Sequence, residues 1–598
     1  MRLSRLYSNR PAVFGPIDFQ PGLNVVLGEI RLPENHARST HNLGKTTLSR
    51  VIDFCLCLKR SKDFFLFKHE ELFKGLVFFL EVETLSGTFI TIRRSVNAAS
   101  KLAFVSHEAR WQDFTDASGS DWDHENLPFE AGRQLLDGIL KLTAVKPWSF
   151  RAPVGYALRT QSDFTDVFQL SKHLGKHRDW KPYVAHILGF DADLVASGFT
   201  LVEQIEELKA TIATLRRELE PANVDLDQIR GLIEIKQKEV SAVEAAVDRF
   251  DFAIQDASIN TDVVERLDRE IAELNNERYS LSRTRRRLLD SLQAERIQFR
   301  PEAARRLFEE AGVVFPSQVV KEFEDLVRFN KEISEERIDY LKAELDLANG
   351  QLANLASRLE MLNEQRQSEL EFLGDTESVS KYREMNNRLV VMKNELGSLE
   401  RQRDAVAGIR ERDRQLRAVV REREDQVEAL QGNIDACGED KSGRYSRIRA
   451  VLAEICERFL RHKALITTRL NDGGNIEFEA GFLDPDDLPT SEDEGKSYKQ
   501  ALCAAYDLAV TKVLLDEDFI RFVYHDGLLE GMDDRVKLNM IDVVRELADQ
   551  GIQQILTVID SDLPLRRDGT KFAFDDDEIV LVLHDEDVSG RLFRTETW

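Results

Sequence analysis

The chain has 598 residues, 42% of them apolar and 32% charged, with a formal net charge of −25. Such a length predicts more than one structural unit, and such a charge excludes a surface that is a nucleic-acid platform throughout, because it would repel phosphates. Five scattered cysteines (Cys55, Cys57, Cys437, Cys456, Cys503) with no C-x-x-C pair argue against a disulfide framework and favour buried thiols over metal ligands.

No apolar run reaches the roughly 18 residues of a membrane span, and the first residues, MRLSRLYSNR, lack the apolar centre of a signal peptide. A cytoplasmic protein without membrane contact is therefore expected. Charge is unevenly spread. The first 70 residues are mildly basic, and acid concentrates in DPDDLPTSEDE and FDDDE, which leaves room for a local DNA-contacting face.

In chain order, residues 1–199 mix short strands (LNVVLG, LVFFLEVET, TFITIRR) with helices and read as one lobe. Within it, THNLGKTTL (40–48) ends like a phosphate-binding loop, G-x-x-x-x-G-K-[ST], but Ser39 holds the place of the first glycine. The context supplies the missing part. LNVVLGE predicts a buried strand ending at Gly28, and GKTTLSRVIDFCLCL predicts a helix starting at the loop. Backbone N–H groups and a helix N-terminus then face an anion. Gly28 takes the first-glycine role, with an eleven-residue insertion in EIRLPENHARSTHNL. In this reading Asn42, Gly44 and Thr47 line the phosphates, Lys45 reaches the β- and γ-phosphates, and Thr46 ligates Mg²⁺. Cys55 and Cys57 read as buried thiols on the following helix. Further on, SKHLGKHRDWKPY (171–183) interleaves basic and aromatic residues. It reads either as a surface helix or as a strip tracking a nucleic-acid backbone.

Residues 200–440 read as a helical arm. Eight of the 14 prolines fall at or before Pro182, and only Pro301 and Pro316 interrupt the stretch from Pro221 to Pro485. Val264, Leu267, Ile271, Leu274, Leu281, Leu288 and Leu292 recur at steps of three and four, with Arg278 and Arg285 occupying two of the seam positions. Ile338, Leu341, Leu345, Ala348, Leu352, Leu355, Leu359 and Leu362 do the same, which predicts a coiled coil. The segment 299–318 carries both prolines and a glycine and predicts a turn. The two runs then fold back as an antiparallel hairpin with its tip near 298–318, broken near Pro221 and ended by ACGEDKSG (436–443). RTRRR (283–287) reads as a solvated face of the coil.

Residues 441–598 hold FIRFVYHD, QQILTVID and EIVLVLHD, three apolar runs ending in acid around a helix, as in a buried α/β sheet. The two lobes together predict a single split head. In RFVYHDGLLEGMDD the strand ends at Asp526, placed to hold Mg²⁺ at a sheet edge, and Asp533 follows seven residues later. This spacing resembles the Walker B motif and D-loop of ABC-type ATPases.

A split head of this kind, interrupted by an antiparallel coiled coil, resembles the SMC, RecN and SbcC-type ATPases. The inserted loop, the HDGLLEGMDDR stretch and the short arm resemble more closely the SMC-like subunits of bacterial ABC three-component conflict systems. That resemblance implies an α/β P-loop fold, ATP and Mg²⁺ as cofactors, and a homodimer of ATP-bound heads. It implies neighbouring effector and accessory proteins, with DNA as a candidate ligand, in anti-phage or anti-plasmid defence. It also implies that Gln161 is the glutamine completing the Mg²⁺ shell and that Arg10 contacts phosphate. Gly495, Lys496 and Ser497 match, in degenerate form, the signature segment offered in trans. Two departures stand out. Gly527 sits where these enzymes carry the water-polarising glutamate, and Ser561 sits where they carry the switch histidine. Glu530 on the same segment, a group from the insertion or a group from the partner head is the substitute base, with slow hydrolysis expected, or ATP acts mainly as a link between heads.

Overall fold

A computed structural model describes residues 1–32, 43–218, 225–250, 257–298, 317–372, 377–484, 490 and 495–596. The chain divides into two compact units: Met1–Glu207 with Leu416–Trp598, and Leu208–Gln415. Both chain ends thus build one α/β unit, and the segment between them is helical.

The first unit contains three sheets. The strands are β1 (Arg2–Ser8), β2 (Ile17–Asp18), β3 (Leu23–Glu29), β4 (Val77–Glu83), β5 (Phe89–Ser95), β6 (Lys101–His107), β7 (His124–Pro128), β8 (Leu158–Arg159), β9 (Lys463–Leu470), β10 (Ile476–Leu483), β11 (Phe522–Asp526), β12 (Gln553–Ile559) and β13 (Ile579–His584). A six-stranded antiparallel sheet has the order β2-β1-β4-β5-β6-β7, and β9 pairs with β10 as a hairpin. The sheet that matters for function is five-stranded, with order β13-β3-β12-β11-β8 and every pairing parallel. β3 and β8 come from the N-terminal part of the chain, and β11, β12 and β13 from the C-terminal part. Parallel strands covered on both faces read as unbroken apolar runs. Val25, Val26, Ile555, Leu556, Phe522 and Val523 are accordingly at most 1% exposed. Each such side chain contributes about 1.5–3 kcal/mol on leaving water.

The longer helices of this unit pack around these sheets. They are α1 (Lys45–Cys55), α2 (Phe129–Leu140), α3 (His177–Leu188) and α4 (Ala192–Glu218), which crosses the unit boundary. In the second unit follow α5 (Leu226–Asp248), α6 (Ala257–Gln298) and α7 (Ser317–Phe372), then α8 (Glu377–Glu439), which returns across the boundary. The remaining three are α9 (Arg444–Leu460), α10 (Lys496–Val513) and α11 (Asp534–Asp549). Cys55 and Cys57 are buried, and burial lifts the Cys57 thiol to about 11, so both are inert packing groups. Helix α3 overturns the nucleic-acid reading of 171–183. Trp180 and Tyr183 are buried, and the buried Lys181 ammonium donates to the Ile476 carbonyl at 2.7 Å. Rings packed in a core cannot stack on bases.

In the second unit the helices pair antiparallel. As the outgoing residue advances from Arg216 to Lys236 to Glu270, its ion-pair partner recedes from Asp413 to Glu395 to Arg358. Leu267, Ile271 and Leu274 interlock with Leu355, Leu359 and Leu362, the periodic positions of the two runs. The expectation of two long arms needs refinement. The outgoing strand of the hairpin comprises α4, α5 and α6, and the returning one α7 and α8. Arg366 bridges Asp268 at 2.8 Å where α6 and α7 meet, and Asp268 also accepts from Asn386 of α8. Seam residue Arg278 and the Arg285–Arg287 run are exposed. The expected tip at 299–316 and the break at Pro221 lie outside the described residues.

Candidate functional site

Because all five strands are parallel, their carboxyl ends share one edge, the usual place for a ligand in an open α/β sheet. Gly28 of β3 stands in register with Ile559 of β12, and Thr557 of β12 with Asp526 of β11. Gly44 caps α1 with a left-handed backbone (φ 102°), and a methyl there would sit 2.7 Å from Leu592 Cβ. Only glycine is free of strain in that conformation. Among the described residues no side chain caps the first N–H groups of α1, and those donors face the edge with the helix dipole.

Lys45 opens α1 and is 8% exposed. Among the described residues its ammonium has no hydrogen-bond partner, and Glu530 Oε1 lies 3.6 Å away as its ion-pair partner. A buried ammonium without a hydrogen bond is costly, and an anion placed here would relieve that cost. Next to it the Thr46 hydroxyl donates to Asp526 Oδ2 at 2.6 Å. Thr557 donates to the other oxygen, Asp526 Oδ1, at 2.7 Å and accepts from the Gly527 N–H at 2.9 Å. Asp526 is fully buried at the end of β11.

After Asp526 the chain turns through Gly527 in the left-handed region (φ 70°). The turn returns Glu530 toward Lys45, and Gln161 donates from Nε2 to Glu530 Oε1 at 2.8 Å. A methyl on Gly527 would lie 2.7 Å from both the Gln161 amide nitrogen and Glu530 Oε1. A glutamate at this position is thus disfavoured by the left-handed backbone and would have to displace the Gln161 and Glu530 ends, and a carboxylate three residues later stands in the cluster instead. Burial raises the Glu530 pKa above the ordinary glutamate value; Lys45 opposes this, and Asp562 and Asp526 add to it. Ser561, at the switch-histidine position, is exposed on the single 3-10 turn Asp560–Asp562 that follows β12.

The remaining residues singled out from sequence fall in several places. Gly28 packs under Leu43 and the Lys45 stem. Thr47 is half-buried on the first turn of α1. Gly495 is the N-cap of α10 without a side-chain cap, Lys496 is exposed, and the Ser497 hydroxyl donates to the Gly531 carbonyl at 2.9 Å. Asp533 is exposed and caps α11 by accepting from the Arg535 N–H. Asn42 lies outside the described residues. The exposed Arg10 is not part of the cluster: its guanidinium donates to the Lys74 carbonyl at 3.4 Å.

Sequence reasoning missed three contributors. Thr557 orients Asp526; the buried Tyr524 hydroxyl donates to the Lys45 carbonyl at 2.9 Å; and Gln500 of α10 donates to the carbonyls of Gly527 and Leu528 at 2.7 and 3.0 Å. Polar residues inside the apolar strings QQILTVI and FVYHD were the available signal for the first two. The donor set suits a triphosphate with its divalent cation: a buried ammonium lacking a hydrogen bond, free helix N–H groups, and a threonine hydroxyl paired with a buried aspartate.

Residues 455–597 match the family model described as "Uncharacterised protein conserved in bacteria (DUF2326)". No curated protein matches the chain. Among solved structures, an Smc head domain with a coiled coil and joint from Pyrococcus yayanosii is 13% identical, covering 96% of this chain and 97% of that one, with a TM-score of 0.34. An Smc head with an extended coiled coil from Pyrococcus furiosus, bound to the C-terminal domain of ScpA, is 12% identical over 94% and 90% of the two chains, with a TM-score of 0.33. Among the described residues no helix is long and apolar enough to cross a membrane.

Proposed function

We propose that the edge cluster binds Mg–ATP and that the protein is an SMC-like ABC ATPase whose heads dimerise on nucleotide. The observation that carries this reading is the buried Lys45 ammonium, without a hydrogen bond, at the start of α1 and beside the Thr46–Asp526 pair. Lys45 and the N–H groups of Gly44, Thr46 and Thr47 hold the phosphates, with Gly28 allowing close approach. Thr46, Asp526 and Gln161 hold Mg²⁺. When bound, the cation offsets phosphate charge and so favours phosphoryl transfer. Glu530 is the carboxylate that takes a proton from the attacking water, and burial, by raising its pKa, makes its ionised form a stronger proton acceptor. Binding also requires Glu530 to yield its place beside Lys45.

In this scheme Gly495, Lys496 and Ser497 of one head complete the site of a second copy, and Asp533 lies beside that contact. Nucleotide-gated engagement then couples DNA sensing to accessory and effector proteins, in bacterial anti-phage or anti-plasmid defence in the cytoplasm. A second reading is a nucleotide-switched scaffold with little turnover. The glycine at 527 and the serine at 561 favour it.

Isothermal titration with Mg–ATP, followed by light scattering and phosphate release, tests both. ATP binding that survives Lys45→Ala removes the site. Turnover in wild type that is lost in Glu530→Gln selects the enzyme, and binding with dimerisation but no turnover selects the scaffold. Rates with linear, circular and single-stranded DNA test the sensing role.

A further inference from the structure

A second charged cluster lies in the same sheet and belongs to none of the roles above. Asp507 sits in the middle of α10, the helix with Ser497 in its first turn, and its side chain is 3% exposed. Arg159, at the end of β8 and fully buried, clasps it bidentately, Nε to Oδ2 at 2.6 Å and NH2 to Oδ1 at 2.9 Å. The remaining guanidinium donors all go to the loop that carries Gln161: the carbonyls of Asp163 at 2.6 Å, Asp166 at 3.0 Å and Val167 at 3.0 Å. His525, the residue before Asp526, is the register partner of Arg159, and its Nε2 lies 3.3 Å from Asp507 Oδ2.

Three segments therefore converge on one buried carboxylate: the Gln161 loop, the strand ending in Asp526, and the helix starting at Lys496. Helix α10 is also tied to the turn after Asp526 through Gln500 and Ser497. Buried ion pairs contribute little net stability, because desolvation offsets their attraction. What a bidentate pair supplies is geometric definition.

We infer that Arg159 and Asp507 are positioning residues that transmit the placement of the Gln161 loop, set by nucleotide on one head, to the Gly495–Ser497 segment offered to the second head. This rests on the reading of the preceding subsection. A loop drawn toward the nucleotide pulls the three carbonyls around Arg159, and the fork carries that shift into α10 rather than dissipating it in flexible packing.

The test uses the full chain carrying Arg159→Met with Asp507→Leu, an apolar pair of similar volume. Mg–ATP affinity measured on dilute monomer stays within about threefold of wild type, while the ATP-dependent dimerisation midpoint in sedimentation rises at least about tenfold. A merely structural pair would not split these two readouts. A variant that binds ATP and dimerises at the wild-type concentration overturns the inference and leaves the ATP site standing. Wild type that binds no Mg–ATP overturns both. Should the double variant fail to fold, hydrogen exchange on wild type decides. Added Mg–ATP must protect amides 163–168 and 503–508 together, and protection confined to the loop overturns the coupling.

Discussion

Two buried cations stand near the same sheet edge and are treated in opposite ways. Arg159 has five hydrogen bonds and a bidentate carboxylate. Burial works against its charge, but Asp507 more than compensates and holds the pKa above the ordinary arginine value. Lys45 has an ion-pair partner at 3.6 Å and, among the described residues, no hydrogen bond that meets normal geometry. A saturated cation holds parts of the protein together, whereas an unsaturated one keeps its donors for something else. The contrast separates a framework group from a ligand group more sharply than burial does, since both are buried.

Four measurements can break or sharpen this contrast. The largest expected effect is on the framework side: Asp507→Ala strands the Arg159 charge and costs about 3–5 kcal/mol in urea unfolding. A loss under about 1 kcal/mol would mean that the carbonyls alone satisfy Arg159. On the ligand side, Lys45→Ala leaves the apoprotein's unfolding midpoint nearly unchanged yet weakens Mg–ATP binding about 100-fold or more, or about 2.7 kcal/mol. Equal damage to folding and binding would erase the distinction.

Between the two lies the turn linking them. Gly527→Ala meets the Gln161 amide and Glu530 carboxylate in a backbone region that disfavours side chains, at a cost of about 1–3 kcal/mol, and lowers turnover with it. Unchanged stability would show that the turn relaxes freely. The smallest effect concerns pH. The Glu530 pKa is raised on folding, so its ionised form is disfavoured in the native state. That contribution is absent below the ordinary glutamate pKa and destabilises the protein once pH passes the folded value. Glu530→Gln is therefore more stable than wild type at neutral pH, and the gap closes as pH falls toward the ordinary glutamate range. A gap independent of pH would assign the stabilisation elsewhere.

Much of the architecture is readable from sequence because its signals are local. Apolar runs in LNVVLG, FVYHD and QQILTVI mark strands of a sheet buried on both faces, and the scarcity of proline with heptad leucines marks the helical segment. Lys45, Thr46 and Asp526 stand out for the same reason, each ending or beginning an element with a recognisable pattern. Where a side chain's meaning depends on what crosses it, sequence misleads. Trp180 and Tyr183 look like an aromatic-basic strip until α3 packs them inward.

What the sequence by itself determined is the set of elements and their end residues, since backbone propensity and apolar period act within a few turns of chain. Only the tertiary structure decided which ends meet. The strand order β13-β3-β12-β11-β8 sets Thr46 against Asp526 across 480 positions and Arg159 against Asp507 across 348. The left-handed turn at Gly527 then chooses Glu530 as the carboxylate beside Lys45. Pairings of that range follow from how strands from both chain ends share one buried sheet, which no local pattern encodes.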